Sequence, residues 1–244
     1  MNNNKIILNG CIEQFKNDNE LSANDSETFE LFALSQVTKS RDFSFEDIQN
    51  SIVDGGNDGG IDSIILVVDD FIPESVEDLD GVKFSRKTQV GIIISQCKKE
   101  NTFKEGPVDK LITSLPELFS LEKSEDALLV RFNPDLVGKA LVAREAWKKC
   151  TIAGGQLSIS LNYCSYAERI EVSRAFQAKT KQLEDIVAKQ FIGAKIEYSN
   201  FSSEELLRLY QLHKNEHLSL VFKENPLSTS YKTFGFGYVG TVKL

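Results

Sequence analysis

Two short stretches hold residues whose types and spacing suit chemistry. Gly59-Gly60-Ile61-Asp62-Ser63-Ile64 leaves a glycine-rich turn and enters an Ile- and Val-rich run. Ile94-Ser95-Gln96-Cys97-Lys98-Lys99 closes a second such run. Residues two apart on a strand share a face, so Gln96 and Lys98 point one way and Ser95 and Cys97 the other. If the two runs pair as a hairpin, Asp62 lies across from Gln96 and Lys98. An amide and an ammonium at the end of an Ile-rich strand are out of place unless something uses them. The glycines before Asp62 let a backbone or a ligand come close.

The chemistry this suits is phosphodiester hydrolysis. A hard divalent cation, Mg²⁺ or Mn²⁺, takes carboxylate, carbonyl and water oxygens. Asp62 supplies the principal carboxylate, and the Cys97 backbone carbonyl with a glutamate from a helix completes the protein donors. The ion acidifies a bound water and neutralises charge that develops on phosphorus. Lys98 beside it orients the water and stabilises the transition state, and a partly buried lysine also shifts its pKa readily enough to help move a proton.

Positioning such a set takes a hairpin and a helix in front of it. Residues 5 to 18 repeat Ile6, Ile7, Cys11, Ile12 and Phe15 near helical spacing. Asn24, Asp25 or Ser26 can cap a second helix through Phe29, Phe32 and Val37 to about Lys39. A short helix over Phe45 to Val53 leads into the turn Asp54 to Gly60. Strands follow at Ile61 to Val68 and Thr88 to Lys98, with an acidic loop from Asp69 to Lys87 between them. Beyond Pro107 the pattern predicts helices at Val108–Leu121, Pro134–Cys150, Ala167–Gln190 and Ser203–His213. It predicts strands at Ala127–Phe132, Gln156–Cys164 and Ala194–Tyr198, and a mostly β tail from Leu218 to Leu244. Strands alternating with helices mean an α/β sheet that is at least partly parallel.

A glutamate-bearing helix, Gly-Gly-Ile-Asp and then Gln-x-Lys, in that order, resembles the PD-(D/E)xK nuclease superfamily. The segments Phe29-Glu30, Asp58-Gly59-Gly60-Ile61-Asp62 and Ser95-Gln96-Cys97-Lys98 are similar to the Phe-Glu helix, Asp-Gly-Gly-φ-Asp and φ-Gln-Cys-Lys of Mrr-type restriction endonucleases. The wider run, from Asn57-Asp58 to the Tyr- and Gly-rich exit at Gly235 to Leu244, resembles the N-terminal part of abortive-infection phage-resistance (AIPR) proteins. The resemblance implies a restriction-endonuclease-like α/β fold over residues 1 to 244, with a core motif region at 25–125 and an α/β extension at 126–244. It also implies that this stretch is the N-terminal part of a longer protein, which the strand pattern of the last residues suits. It implies a Mg²⁺-dependent endonuclease acting on DNA in bacterial anti-phage defence, as a possible homodimer.

The roles it implies fall on Glu30, Asp62, Gln96 and Lys98. Glu27, one turn before Glu30 on a similar face, is the alternate metal ligand. Gln96 stands where the superfamily usually has an acid, which removes one charge. Asp54 and Asp58 are extra acids that either support the site or form the turn. Lys99, Lys104 and Lys110 follow the second strand and offer sequence-independent phosphate contacts, with solvated surface lysines as the plain alternative.

Charge sets a competing expectation. The chain of 244 residues has 28 Lys and Arg against 36 Asp and Glu, a net of −8. Residues 1–80 hold 4 of these cations and 18 of the acids, so the acidic pole precedes a mildly basic body. The net charge, with Gln96 in place of an acid, favours a non-catalytic nucleic-acid-binding or sensing module that keeps the fold. Hydrophobic residues at 41% and charged residues at 26% exclude a disordered or fibrous chain. No apolar run approaches the roughly 18 to 20 residues of a membrane span. No signal sequence opens the chain and the four cysteines make no CxxC pair, so we expect a cytoplasmic protein with reduced thiols and no membrane partner.

Other motifs fall short. The Asp54 turn has Gly56 and Ile65 where a Ca²⁺ loop needs ligands. Gly235 to Gly240 reads GxGxxG without a following helix. His213-Lys-Asn-Glu-His217 matches an inverted zinc-hydrolase pattern, but the β-like residues after it end the helix inside the motif. The thiol of Cys97 faces away from Lys98, which makes it a small core residue rather than a nucleophile.

Overall fold

A computed structural model of the chain describes residues 3–41, 43–53, 55–212, 227–231 and 235–239. They belong to two compact units, Met1–Leu212 and His213–Leu244.

The first unit is a mixed α/β sheet flanked by helices, the architecture expected of a restriction-endonuclease-like fold. Three helices come first: α1 (Asn3–Asp18), α2 (Asp25–Val37) and α3 (Phe45–Ser51). Strands β1 (Ser63–Val68) and β2 (Gln89–Lys98) form the expected antiparallel hairpin, with Ser63 paired to Ser95 and Val68 to Val90. Helices α4 (Glu105–Leu118), α5 (Glu125–Leu129) and α6 (Pro134–Ala153) cross over to β3 (Gln156–Ser165), which runs parallel to β2. Helix α7 (Arg174–Gln190) crosses to β4 (Lys195–Phe201), parallel to β3, and α8 (Ser203–Gln211) follows. The strand order is β1-β2-β3-β4.

Both faces of the hairpin are covered, which is why its strands read as unbroken apolar runs instead of alternating. Ile64, Leu66, Ile92 and Ile94 pack with Leu111, Leu115, Ala140 and Ala143 of α4 and α6. On the opposite face, Cys97 and Cys164 pack with Leu8, Phe29, Phe32 and Leu206 of α1, α2 and α8. The hairpin is therefore the middle of three layers, and its ends are where polar groups can gather.

Three sequence expectations are corrected. Residues Ala127–Phe132 do not form a strand, because α5 takes them into a helical turn. The Ser124 side chain accepts from the Ala127 N–H, and Glu125 and Asp126 fill the first turn, where acids favour the helix dipole. A six-residue, mostly apolar run has no period long enough to choose between strand and helix. The helix predicted from Ala167 starts only at Arg174, capped by Ser173; Ala167 O instead accepts from the Ser203 N–H, which ties the intervening loop to α8. Helix α4 starts earlier than predicted, since Pro107 sits in its first turn, where a missing N–H costs nothing.

The second unit is described only as the antiparallel pair β5 (Leu227–Tyr231) and β6 (Gly235–Val239). His213 and His217, Asp54 and Gly240 lie outside the described residues. No helix among the described residues is long and apolar enough to cross a membrane.

Candidate functional site

The turn before β1 aims Asp62. Asp58 Oδ1 accepts from the Gly60 N–H at 2.7 Å, and Asp58 O from the Ile61 N–H at 2.9 Å. Gly59 and Gly60 have φ of +61° and +83°, and each is pressed against α4. A Cβ on Gly59 would stand 2.9 Å from Ser114 Cβ, and one on Gly60 would stand 2.7 Å from Lys110 Cβ. The close approach anticipated at these glycines is thus made by a helix. Gly60→Ala meets both the left-handed strain, about 1–2 kcal/mol, and the clash with Lys110. We expect it to lose about 2 kcal/mol or more of stability by chemical denaturation.

Beyond the turn, the Val53 N–H donates to Asp62 O and the Asp62 N–H to Ser95 O, fixing the backbone one residue past the Ser63–Ser95 pair. The Asp62 carboxylate is only 7% exposed. Its Oδ2 accepts from the Cys97 N–H at 2.6 Å, and both oxygens accept from Lys98 Nζ, at 3.0 and 3.1 Å. Asp62 and Lys98, 36 residues apart in sequence, are an ion pair as the hairpin argument required. Burial pushes the Asp62 carboxyl above its ordinary pKa, and Lys98 and the Cys97 N–H only partly offset it. Burial by itself would lower the Lys98 ammonium, but Asp62 and then Asp58 overcome this and hold it above its ordinary value.

Gln96 is 1% exposed, and among the described residues neither its Oε1 nor its Nε2 has a hydrogen-bond partner. Its Nε2 lies 3.1 Å from where a Gly60 Cβ would be, so the amide sits under the glycine turn, on the same face as Lys98. A buried polar group left unpaired costs roughly 1–3 kcal/mol, so this amide is an unsatisfied group at the end of β2.

Glu30 approaches from α2. It is half-buried, and its charge, with that of Asp62, helps raise the Cys97 thiol well above its ordinary pKa, after the larger effects of a thiol–thiol hydrogen bond to Cys164 and burial. That thiol stays neutral and inert. Glu27 is exposed and engaged elsewhere: its Oε2 accepts from the Asn24 N–H at 3.1 Å, and Asn24 Oδ1 accepts from the Glu27 N–H, a capping box at the start of α2. Of the two glutamates, only Glu30 is directed toward β2.

The three lysines separate. Lys99 pairs with Asp25 at 2.9 Å and Lys104 with Glu100 at 2.6 Å. Lys110 has its stem against Gly60 and forms no ion pair among the described residues. Asp58, an extra acid of the turn in the sequence, has charge that reaches both Asp62 and Lys98. It also lines a cavity of about 510 Å³ with Asn57, Lys110, Thr113, Arg131 and Phe132. Helical spacing joins Lys110 with Thr113, but nothing in the sequence sets Arg131 and Phe132, in the turn after α5, beside them. A separate cavity of about 310 Å³ at the β1 edge, between α3 and α6, holds none of these residues.

Against family models, curated proteins and solved structures, the chain finds no match.

The groups here that could serve a hard divalent cation are all oxygen donors. Asp62 and Glu30 offer carboxylates, the orphaned Gln96 offers an amide oxygen, and the Cys97 carbonyl adds a backbone oxygen. Among the described residues, no three His, Cys, Asp or Glu side chains gather.

Proposed function

We propose that this chain is a metal-dependent nuclease of PD-(D/E)xK type that hydrolyses phosphodiester bonds in DNA, serving bacterial defence against phage. The observation that carries the reading is the buried Asp62–Lys98 pair with the unpartnered Gln96 amide beside it. A structural ion pair has no use for a third, unsatisfied polar group. A nuclease site does.

Asp62, Glu30 and the Cys97 carbonyl would hold Mg²⁺ or Mn²⁺, which when bound supplies Lewis acidity and an activated water. The chain's own groups do the rest. The Cys97 N–H fixes the Asp62 carboxylate in one orientation. Lys98, whose side chain is 31% exposed, reaches toward solvent with its charge held on, ready to orient a water and to meet the negative charge on the phosphoryl oxygens. The Gln96 amide donates to a water or an oxygen at the centre without adding charge. The test is cleavage of single-stranded and duplex DNA in Mg²⁺ or Mn²⁺, with chelator as control. Chelator-sensitive cutting is the expected result; ion binding without cutting by any form of the chain would leave a sensing module instead.

The raised Asp62 pKa gives a pH signature with a definite sign. Between the ordinary carboxylate value of 3.8 and the raised folded value, the native state binds more protons than the unfolded state. Asp62 therefore adds stability as pH falls through that window. Ion binding, which needs the carboxylate, weakens over the same window. In denaturation without metal, wild type should gain on Asp62→Asn as the solution is acidified; an advantage that shrinks would refute this.

A further inference from the structure

The cavity beside the candidate ion site is preformed. Ser114 Oγ donates to Gly59 O at 2.7 Å, tying the glycine turn to α4. The Asn133 N–H donates to Asn57 O and Asn133 Nδ2 to Gly56 O, both at 3.1 Å, tying the same turn to the start of α6. Its walls therefore need no ordering when a ligand enters, which removes part of the cost of binding. At about 510 Å³ this open depression lies within the roughly 300–1,000 Å³ of small-molecule sites, room for one nucleotide.

Its chemistry is that of a nucleotide site. The Arg131 guanidinium lies over the Phe132 ring, 5.4 Å from its centre, and offers a flat cationic plane on which a base can stack. Asn57, exposed, supplies a donor and an acceptor for a base edge or sugar, and the exposed Thr113 Oγ, which donates to Asp109 O at 2.9 Å, is left as an acceptor. Lys110 supplies a cation for phosphate. Two acids border the space, but Asp109 is held by Lys179 at 2.6 Å and Asp58 accepts from the Gly60 N–H.

Charge then decides between strand types. Duplex binding rests on a row of cations, each releasing counterions from a phosphate. Here Lys99, Lys104, Lys179 and Arg131 are paired with Asp25, Glu100, Asp109 and Glu117. Around this cavity, Lys110 is the cation without an ion pair among the described residues. A surface this sparing of charge holds one or two phosphates and relies on stacking for the remainder.

We propose that this cavity holds one unpaired nucleotide next to the bond to be cut, so that the substrate is single-stranded DNA, with Lys110 on the phosphate and Arg131 under the base. The proposal rests on the nuclease reading. The Gly59–Gly60 turn on the cavity wall leads directly into Asp62, and Gly60 has Lys110 and Gln96 Nε2 around it, so a nucleotide held here would lie next to the candidate ion site.

The test is fluorescence anisotropy of a labelled oligothymidylate and of the matching duplex, with the full chain in Ca²⁺ in place of Mg²⁺, over a range of salt. The single strand should bind at least about tenfold tighter than the duplex, with a log–log salt slope of about −1, as one or two phosphates on a single strand give. Lys110→Ala, which keeps the Cβ that packs on Gly60, should weaken it roughly fivefold and flatten the slope by about 0.7. Thr113→Phe, at an exposed helical position, should weaken binding by filling the space. Tighter duplex binding, a slope beyond about −4, or wild-type affinity in both variants overturns the proposal. Calorimetry of Mg²⁺ on the same samples separates the two readings. Ion uptake without strand binding overturns the cavity assignment alone; strand binding without ion uptake supports the cavity and overturns the nuclease.

Discussion

Asp62→Asn should abolish divalent-ion binding and leave the fold standing. The two halves of that result come from different atoms. Asn has the volume of Asp and keeps an oxygen that can accept from the Cys97 N–H, so the 2.6 Å bond from the β2 backbone survives. What disappears is the charge. Lys98 then lacks its partner, but its side chain is 31% exposed and can turn to water, so the loss is that of a partly solvated pair, about 1 kcal/mol or less. Burying a carboxylate was itself unfavourable, as the upward shift of its pKa records, and this relief offsets part of the loss. Asp62→Ala is the harsher change, because it orphans the buried Cys97 N–H at a cost of about 1–3 kcal/mol. The ion, by contrast, has no substitute for the central carboxylate. At a hundredfold excess over its Kd, a ligand stabilises the folded state by about 2.7 kcal/mol. Wild type should therefore show a clear rise in Tm with Mn²⁺ or Mg²⁺, and Asp62→Asn should show none. A wild type that takes up no ion by calorimetry, or a variant that takes up as much, would mean that the pair is structural.

The parts of this site legible in the sequence are those fixed by a period of two and a turn. Gln96 and Lys98 share a face because strands alternate, and Asp62 meets them because Gly59-Gly60 starts a hairpin whose two apolar runs face each other. Of the three caps the sequence offered for α2, Asn24 is the one used, in a capping box with Glu27 that separates Glu27 from Glu30 by local hydrogen bonding. What stayed hidden depends on the third dimension. The parallel β2–β3 register, which sets Gln96 beside Tyr163, follows from a crossover of three helices. Lys99 looked available for phosphate, but its partner Asp25 is 74 residues away on α2. The run Ala127–Phe132 has too few residues to show a period, and reading it as a strand removed Arg131 and Phe132 from the wall of the cavity they line. Gln96 looked like a lost acid. In the folded chain it is a buried amide with nothing to hold, and burial rather than charge makes it informative.

Lys98→Met should separate cutting from ion binding, which no purely structural ion pair could do. Met keeps most of the unbranched stem of Lys98 and its packing, and removes only the ammonium. Preorganised positive charge at a developing oxyanion is worth roughly 10²–10³ in rate, and a positioned proton-transfer group a similar amount. Cleavage should fall by at least about a hundredfold. Ion binding at neutral to mildly alkaline pH should persist or tighten, because Lys98 and the cation compete for the same two Asp62 oxygens and repel each other. Losing that ammonium also takes away the strongest influence lowering the Asp62 pKa. The Asp62 carboxyl must then protonate at higher pH, and ion binding by Lys98→Met should fail earlier on acidification than in wild type. The sign is fixed by linkage: a carboxylate whose folded pKa rises further binds its proton over a wider range and releases its ion over that range. Calorimetric ion titrations over a range of pH, beside cleavage rates on the same preparations, read both effects. Lys98→Met that cuts at the wild-type rate would remove Lys98 from the chemistry. Loss of ion binding at alkaline pH would return the pair to a structural role.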